Sequence, residues 1–207
     1  MGLLCVNFAW SQTESDLEAV NILKQLQAKY KAYKNFKAGF TFTLENLVDS
    51  IKEDQKGTLH LMGSKYKLEL SGQQVISDSK TVWTYLPEAN EVTISTVEPG
   101  EEGLSPEKIF HFYEEGMLCR LQKDEKLNGK TVQVIDMTPT KGDRSYFRVM
   151  LWVDKTDRQI MRSRIFEKAG NRYTYEINNF EPNLNLTDSF FAFETAKHPG
   201  VEVVDLR

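Results

Sequence analysis

The sequence predicts a mainly β fold with helices, of the α+β class, built on an antiparallel sheet. Three observations support this prediction. A helix pattern near the start runs directly into a strand pattern, further strand patterns follow along the chain, and short turn-rich junctions separate them. Consecutive strands with short connections are typical of an antiparallel meander. With 207 residues and a hydrophobic composition of 40%, the chain is long enough for one domain with a sizeable core.

The first predicted element is an amphipathic helix from Glu14 to Asn35. Lysine and glutamine residues separate its apolar positions, which recur at helical spacing. These apolar positions are Ala19, Ile22, Leu23, Leu26, Tyr30 and Tyr33.

The strand pattern begins at Phe36, where FKAGFTFTL places every second residue on one face. This alternation predicts a half-buried strand that carries Phe40 and Phe42 on its apolar face. Turn residues such as Ser71-Gly72 and Asn128-Gly129 separate the strands that follow. The later stretches that favour strands are GTLHLM, KYKLEL, QVIS, TVWTYL, EVTIST, KTVQVIDM, YFRVMLWVD, QIMRSRIFE and RYTYEINNF.

Within TVWTYL, Trp83 and Tyr85 are two residues apart and therefore point to the same face of the strand. Their side chains make that face bulky, flat and apolar, with polar tips. Such a face is either ordinary core or the wall of a ligand cavity.

One insertion, EPGEEGLSPEKIFHFYEEGMLCRLQKDEK, interrupts the strand patterns and predicts a second helix from Ser105 to Gln122. Ser105 suits the N-cap, Pro106 suits the first turn, and Glu107 complements the helix dipole. A helix between two halves of a sheet is placed to cover one face of it. Its predicted apolar face consists of Ile109, Phe112, Tyr113 and Met117.

Residues 1–11 have the features of the end of a secretory signal peptide. An apolar run is followed by Ala9-Trp10-Ser11, which fits a small-x-small cleavage pattern. Cleavage there would make Gln12 the N-terminus and leave residues 12–207 as a single domain. The run has no positively charged segment before it, and the alternative is a short buried N-terminal strand.

Charge and cysteine content restrict the partners and the compartment. The formal charge is -4, from 26 basic and 30 acidic side chains, and the basic residues are scattered, which argues against a nucleic-acid partner. Cys5 lies in the predicted signal peptide, so Cys119 would be the only cysteine of the processed chain and no intramolecular disulfide could form. Export without disulfides suits a periplasm-like space. No apolar run has the length of about 18 residues that a membrane span needs.

The sequence contains no recognisable catalytic or metal-binding motif. The three histidines are far apart, and neither H-E-x-x-H nor C-x-x-C occurs. The stretch SDSK from Ser77 to Lys80 matches S-x-x-K, but S-D-N and K-T-G are absent and the stretch falls in a turn, so the match is attributed to chance. We therefore predict a protein that is not an enzyme and that uses no metal and no cofactor.

Aromatic and methionine side chains are frequent along the predicted strands, with 12 Phe, 8 Tyr, 3 Trp and 6 Met in the chain. Taken one at a time, each is explained by ordinary core packing. Together, on a curved sheet with helices beside it, they would also form an adaptable apolar cavity, because methionine fits ligands of variable shape.

Several segments follow the pattern of one known family. YKNFKAGFTF is similar to its F-x-A-x-F start, and GTLHLMGSKYKLEL to its G-x-L-x-L strand with the strand that follows. VISDSKTVWTYLPEANEV is similar to I-x-S-D-G-x-x-x-W-x-Y-x-P, and FAFETAKHPGVEVVD to a closing F-x-F and P-x-G-V. On these segments the chain resembles a divergent member of the LolA-like periplasmic outer-membrane lipoprotein carrier family.

The sequence departs from the family pattern at three places, one of which is a longer gap than usual from Phe193 to Gly200. The usual Ser-Asp-Gly is Ser77-Asp78-Ser79, and the usual Arg-Pro after the G-x-L-x-L strand is Gly63-Ser64, with Lys65 as the nearest base. The resemblance therefore does not extend to the arginine-centred latch that closes the lid in well-known members.

The resemblance implies an incomplete, unclosed antiparallel β-barrel whose apolar concave face is covered by a helical lid. It implies a periplasmic carrier of acylated lipoproteins, with an inner-membrane release complex and an outer-membrane acceptor as partners, and we expect a monomer. The cavity wall and lid would then consist of Phe40, Phe42, Leu59, Leu61, Trp83, Tyr85, Ile109, Phe112 and Met117.

Two alternatives to a lipoprotein carrier stay open from the sequence. The first keeps the fold but changes the cargo to another outer-membrane lipid or a lipid-linked pigment. The second is a non-enzymatic half-barrel that binds a protein partner or acts as a sensor.

Overall fold

The structure, a computed structural model, describes residues 16–97, 116–142 and 144–207 of the chain. Helix α1 spans Leu17–Ala32, and two short 3-10 helices span Asp188–Phe191 and Thr195–Lys197. Within these ranges no helix has both the length and the apolar character of a membrane span. The strands are β1 (Phe36–Asn46), β2 (Ile51–Met62), β3 (Lys65–Leu70), β4 (Gln73–Ser77), β5 (Thr81–Leu86), β6 (Glu91–Thr96), β7 (Met117–Leu121), β8 (Glu125–Leu127), β9 (Lys130–Pro139), β10 (Tyr146–Asp154), β11 (Ile160–Glu167), β12 (Asn171–Pro182) and β13 (Glu202–Asp205).

The strands form one sheet of 13 strands that does not close on itself. Their order is β13-β6-β5-β4-β3-β2-β1-β12-β11-β10-β9-β7, and β8 pairs with β9. Among the described residues every pairing is antiparallel except that of β13 with β6. The predicted fold class, a mainly β protein with an unclosed antiparallel sheet, is confirmed.

Helix α1 forms where the apolar residues recur at helical spacing, and it lies within the predicted range. Glu18 in its first turn and Lys29 and Lys31 in its last turn complement the helix dipole. Tyr33 lies beyond the helix, because its extended backbone, with φ of -77° and ψ of 133°, turns the chain towards β1. The side chains that α1 buries are Ala19, Ile22, Leu23, Leu26 and Tyr30.

Hydrogen bonds fix both ends of α1 to the sheet. The amide of Asp16 donates to the carbonyl oxygen of Cys119 at 2.9 Å, and the amide of Leu121 donates to the Asp16 carboxylate at 2.9 Å. Near the other end, the amide of Ile160 donates to the Tyr30 hydroxyl at 3.2 Å. The helix therefore lies across the sheet from the edge strand β7 to the start of β11.

Local alternation predicted several strands to the residue and missed others. KYKLEL, TVWTYL, EVTIST and YFRVMLWVD coincide with β3, β5, β6 and β10. Strand β2 begins at Ile51 rather than at Gly57, where the pattern placed its start. Its first six residues, IKEDQK, pair with β1. The pattern missed them because this charged run has no apolar alternation. Strands β8 and β13 were not predicted, since each is only a few residues long.

The predicted second helix from Ser105 to Gln122 is wrong over its last residues. Residues 105–115 of that prediction lie outside the described residues, whereas Met117–Leu121 form β7 and pair with β9. Gly116 has a φ of +92°, a left-handed conformation that ends a helix rather than continues one. After it, the buried Cys119 faces the core as part of a strand. The prediction was wrong here because it extended the helical spacing into residues 117–121, which form a strand.

The two faces of the sheet are covered by different parts of the chain. The inner face packs against α1 and carries the main apolar core. The outer face of β2 to β6 is covered by residues 183–201, which we call the C-terminal segment and which lead into β13 at the edge of the sheet. In this segment the Phe190 ring contacts His60, with centroids 4.9 Å apart, and the Phe193 ring contacts Tyr85 at 5.2 Å.

Strand β10 ends in a buried carboxylate, Asp154, which fixes the turn to β11. Its Oδ1 accepts the amides of Thr156 at 2.8 Å and Asp157 at 3.0 Å, and its Oδ2 lies 2.6 Å from Lys130 Nζ. Burial by itself raises the pKa of Asp154, but the hydrogen bonds and the charge of Lys130 outweigh it. The pKa of Asp154 in the folded protein is therefore below its ordinary value of 3.8.

We expect Asp154→Asn to lower the free energy of unfolding at pH 7 by about 2 kcal/mol. Because the folded pKa is the lower one, ionised Asp154 contributes fully above the unfolded pKa, and this contribution is lost as the pH falls through the folded pKa. Urea denaturation at pH 7 and at a pH below 3.8 checks this, since the gap between wild type and variant should shrink in acid. Asp157→Asn, whose side chain is 54% exposed, is the control and should cost less than about 1 kcal/mol. Equal stability of wild type and Asp154→Asn at pH 7 would contradict the prediction.

Candidate lipid-binding face

An apolar surface along the inner face of the sheet is the candidate site. Residues that oppose each other in an antiparallel pair share a face, so Phe42 lies beside Tyr175 and Leu59 lies beside Leu68. Both halves of the sheet contribute, which makes the surface continuous. Its buried strand residues are Phe36, Ala38, Phe40, Leu59, Leu61, Leu68, Cys119, Ile135, Met137, Tyr146, Val149, Leu151, Val153, Ile160, Ile165, Tyr175 and Ile177.

The predicted lipid-binding residues on this face differ in accessibility. Phe40, Leu59 and Leu61 are 3%, 1% and 5% exposed, so in this state they belong to the packed core. Phe42 and Met117 are half-buried and pack against that core. An apolar ligand at this face would therefore meet the half-buried side chains first. Other half-buried residues packed against the core from the strands are Tyr66, Leu70, Val75, Leu121, Tyr173 and Phe180.

Phe42 lies in an aromatic group formed by β1 and β12. Its ring stacks on Tyr173, with centroids 6.0 Å apart, and makes a tilted contact with Tyr175 at 5.0 Å. The Tyr173 hydroxyl donates to the Glu167 carboxylate at 3.0 Å. Burial, followed by the hydrogen bond to Glu167, raises the pKa of Tyr173. The hydroxyl is thus held at the end of the strand while the ring faces the apolar surface.

Arg144, in the loop between β9 and β10, places a cation beside this surface. Its Nη1 donates to the Tyr146 hydroxyl and lies 3.8 Å from the sulfur of Met117. The guanidinium is also 5.6 Å from the centroid of the Tyr146 ring. No pattern in the sequence indicates Arg144, because no spacing rule connects this loop with the edge strand β7.

Trp83 and Tyr85 share a face, as predicted, but it is the outer face. Trp83 opposes Ile76, and both belong to an apolar group with Phe193 of the C-terminal segment. Val75, the neighbour of Ile76, points the other way and packs against the inner core. The prediction that Trp83 and Tyr85 line one cavity with the residues of β1 and β2 is therefore wrong. Alternation shows that two residues share a face, but it does not show which face that is.

The structure bears differently on the predicted lid residues and on Lys65. Ile109 and Phe112, the predicted lid residues, lie outside the described residues. Lys65, the nearest base to the missing Arg-Pro, forms an ion pair of 2.7 Å with Asp188. Asp188 belongs to the C-terminal segment on the outer face, so this ion pair joins Lys65 to the outer face.

The chemistry that this face offers is apolar contact. In the part of the chain that the structure describes, no group of three or more His, Cys, Asp or Glu side chains is arranged to hold a metal ion. The polar groups at its border, Arg144 and the hydroxyl of Tyr173, are each engaged with a neighbouring side chain. The arrangement is suited to holding an apolar ligand.

Comparison with known families matches residues 31–194 to the family described as outer membrane lipoprotein carrier protein LolA. The chain belongs to this family. This match confirms the resemblance drawn from the sequence segments. The matched range contains β1 to β12 and ends just after Phe193. No curated protein sequence matches the chain.

Solved structures share the LolA-like fold at low sequence identity. An uncharacterized conserved protein from Thermus thermophilus is 15% identical with a TM-score of 0.58, and the match covers 91% of this chain and 99% of that one. A DUF1329 family protein from Desulfovibrio piger is 14% identical with a TM-score of 0.52, covering 90% and 100%. Lipoprotein LppX from Mycobacterium tuberculosis is 12% identical with a TM-score of 0.51, covering 84% and 100%. At such identities the likeness concerns the fold alone.

Proposed function

We propose that this LolA-family chain is a periplasmic carrier that binds the acyl chains of lipoproteins on its inner face and moves them from the inner to the outer membrane. The observation that carries the proposal is the continuous apolar inner face, with half-buried side chains beside a packed core. The family match over residues 31–194 supports the same proposal.

Acyl chains require such a surface because water is a poor solvent for them. Each methylene group that stays in water costs about 0.8 kcal/mol, so a lipoprotein with several chains needs shielding to cross an aqueous space. The half-buried residues supply a surface that can rearrange to admit the chains, and the unbranched side chain of Met117 adapts to variable shapes. Binding and release involve no covalent step, so the proposed carrier is not an enzyme and needs no cofactor.

The geometry of the inner face supports a proposed lipid-binding set drawn from the residues that the sequence predicts. Within the described residues it consists of Phe40, Phe42, Leu59, Leu61 and Met117. Phe42 and Met117 are the accessible members, and the other three would become accessible only after the core opens. Ile109 and Phe112 remain proposed lid residues.

The proposal includes partners and a compartment. An inner-membrane release complex would load the carrier and an outer-membrane acceptor would unload it. Export would remove residues 1–11 and leave Gln12 as the N-terminus, and the carrier would act as a monomer. N-terminal sequencing of the exported protein tests the processing, and retention of Cys5 with an attached lipid would overturn it.

Mass spectrometry of the lipid that co-purifies with the exported protein tests the proposed cargo. We expect acylated peptides or lipoproteins in the wild-type protein and their loss from a variant with a charge on the inner face. If another outer-membrane lipid or a lipid-linked pigment is the sole ligand, the proposed cargo is wrong but the proposal of a carrier stands. A protein that co-purifies with no lipid and binds no acylated peptide would overturn the proposal.

A further inference from the structure

The hairpin of β1 and β2 ends in exposed apolar side chains that the proposed carrier face does not use. Leu47 is 62% exposed, Val48 is 83% exposed, and Ile51 is 42% exposed. They occupy the turn and the first residue of β2, and we call residues 47–51 the hairpin tip. Exposed apolar side chains gathered on one turn mark a contact site more often than isolated ones do.

Hydrogen bonds give the hairpin tip a defined shape. Asn46 Oδ1 accepts the amides of Val48 at 2.9 Å and Asp49 at 3.1 Å, and Asn46 Nδ2 donates to Asn171 Oδ1 at 3.0 Å. Residues 51–56 of β2 pair with β1 but not with β3, whose pairing begins at Gly57. The tip therefore extends past the end of β3 on an ordered turn.

Basic side chains lie on the loops beside the tip. A Cβ atom placed on Gly170, in the turn between β11 and β12, would lie 3.7 Å from a methyl carbon of Val48. Lys168 in the same turn donates to the carbonyl oxygen of Gly142 at 2.7 Å, which joins this turn to the loop that carries the exposed Lys141. Neither lysine forms an ion pair with an acidic side chain of the described residues. Lys168 thus lies two residues from the contact with Val48, and Lys141 lies on the loop that Lys168 joins to this turn.

We infer that the hairpin tip inserts into the headgroup region of a lipid bilayer, with Lys141 and Lys168 against anionic headgroups. A stable protein interface buries roughly 800 Å² on each partner, far more than three apolar side chains on one turn provide. A bilayer needs no complementary shape to accept protruding apolar side chains, and it attracts nearby lysines when it contains anionic lipid. These points favour a bilayer over a protein as the occupant.

Acidic residues at the same end limit the electrostatic contribution. Asp49 lies within the tip and Glu53 follows on β2, and both are exposed. Their charges offset part of the lysine attraction, so the apolar side chains should supply most of the binding.

The tip also continues from the inner face, because Phe42 and Leu44 precede it on β1 and Leu44 opposes Tyr173. Contact at the tip would bring the end of the apolar face to the bilayer surface.

Co-sedimentation of the purified protein with vesicles tests the inference. Vesicles of phosphatidylcholine with phosphatidylglycerol should bind the wild type, and Leu47→Ser with Val48→Ser should lower the partition coefficient at least about ten-fold. Lys141→Gln with Lys168→Gln should lower it about three- to ten-fold on these vesicles and little on phosphatidylcholine alone.

A matched double variant controls for the loss of exposed apolar surface. Val203 and Leu206 are 47% and 66% exposed near the C-terminus, and replacing both by serine should leave vesicle binding unchanged. The tip variant should also keep its affinity for a fluorescent fatty acid on the inner face, which separates this inference from the carrier proposal. A wild type that binds neither kind of vesicle would overturn the inference. Unchanged binding of the tip variant would overturn it as well.

Discussion

Phe42→Asp should lower the affinity for an acylated peptide or a fluorescent fatty acid at least about thirty-fold while the protein stays folded. Phe42 is half-buried on the inner face and stacks on Tyr173, so a carboxylate there opposes an apolar ligand with an unpaired charge. In the free protein the same carboxylate can reach water, and the free energy of unfolding should fall by only about 1 to 2 kcal/mol. Ligand titration followed by urea denaturation measures the two effects separately.

Two variants control for the effect of Phe42→Asp. Thr41 is on the same strand but faces outward, opposite Lys56, so Thr41→Asp should leave the affinity within about two-fold. Trp83→Ala should lower stability, because Trp83 packs against the group with Ile76 and Phe193, but it should not change the affinity. If Phe42→Asp unfolds the protein, or if Thr41→Asp loses as much affinity, Phe42 is core rather than ligand surface.

Local patterns were sufficient for most strands because a strand's alternation and its turns are properties of neighbouring residues. They could not show that β1 pairs with β12, since Phe42 and Tyr175 are far apart in sequence. The aromatic group at the candidate site depends on this pairing. The sequence therefore predicted Phe42 as a site residue but could not predict its ring partners.

Distant parts of the chain also decide which face of a strand is inner and which is outer. Trp83 and Phe42 both follow an alternating pattern, but Phe193 of the C-terminal segment packs on the face of Trp83. The main core packs on the face of Phe42. Only the path of the C-terminal segment separates the two cases, and no local pattern describes that path.

Gly57→Ala should destabilise the fold more than its single added methyl group suggests. Gly57 lies on β2 between Phe40 on β1 and Leu70 on β3. A Cβ atom there would lie 2.5 Å from the Phe40 ring, 2.8 Å from a methyl carbon of Leu70 and 2.9 Å from the carbonyl oxygen of Glu69. Phe40 is 3% exposed and packed in the main core, and the Glu69 carbonyl is part of the backbone of β3. The glycine therefore provides the space that the Phe40 ring occupies.

We expect Gly57→Ala to lower the free energy of unfolding by about 3 kcal/mol, the upper part of the usual range for overpacking a core. Gly39→Ala on β1 is the matched control, because its Cβ atom would meet only Asn179, at an ordinary 3.6 Å, and should change stability by less than about 0.5 kcal/mol. Urea denaturation of both variants measures the difference. Equal stability of the two variants would mean that the Phe40 ring does not pack over Gly57, and the inner face would then have room near β2 that this structure does not contain. Since Phe40 belongs to the proposed lipid-binding set, its displacement in Gly57→Ala should also weaken fatty-acid binding, whereas Gly39→Ala should bind as the wild type does.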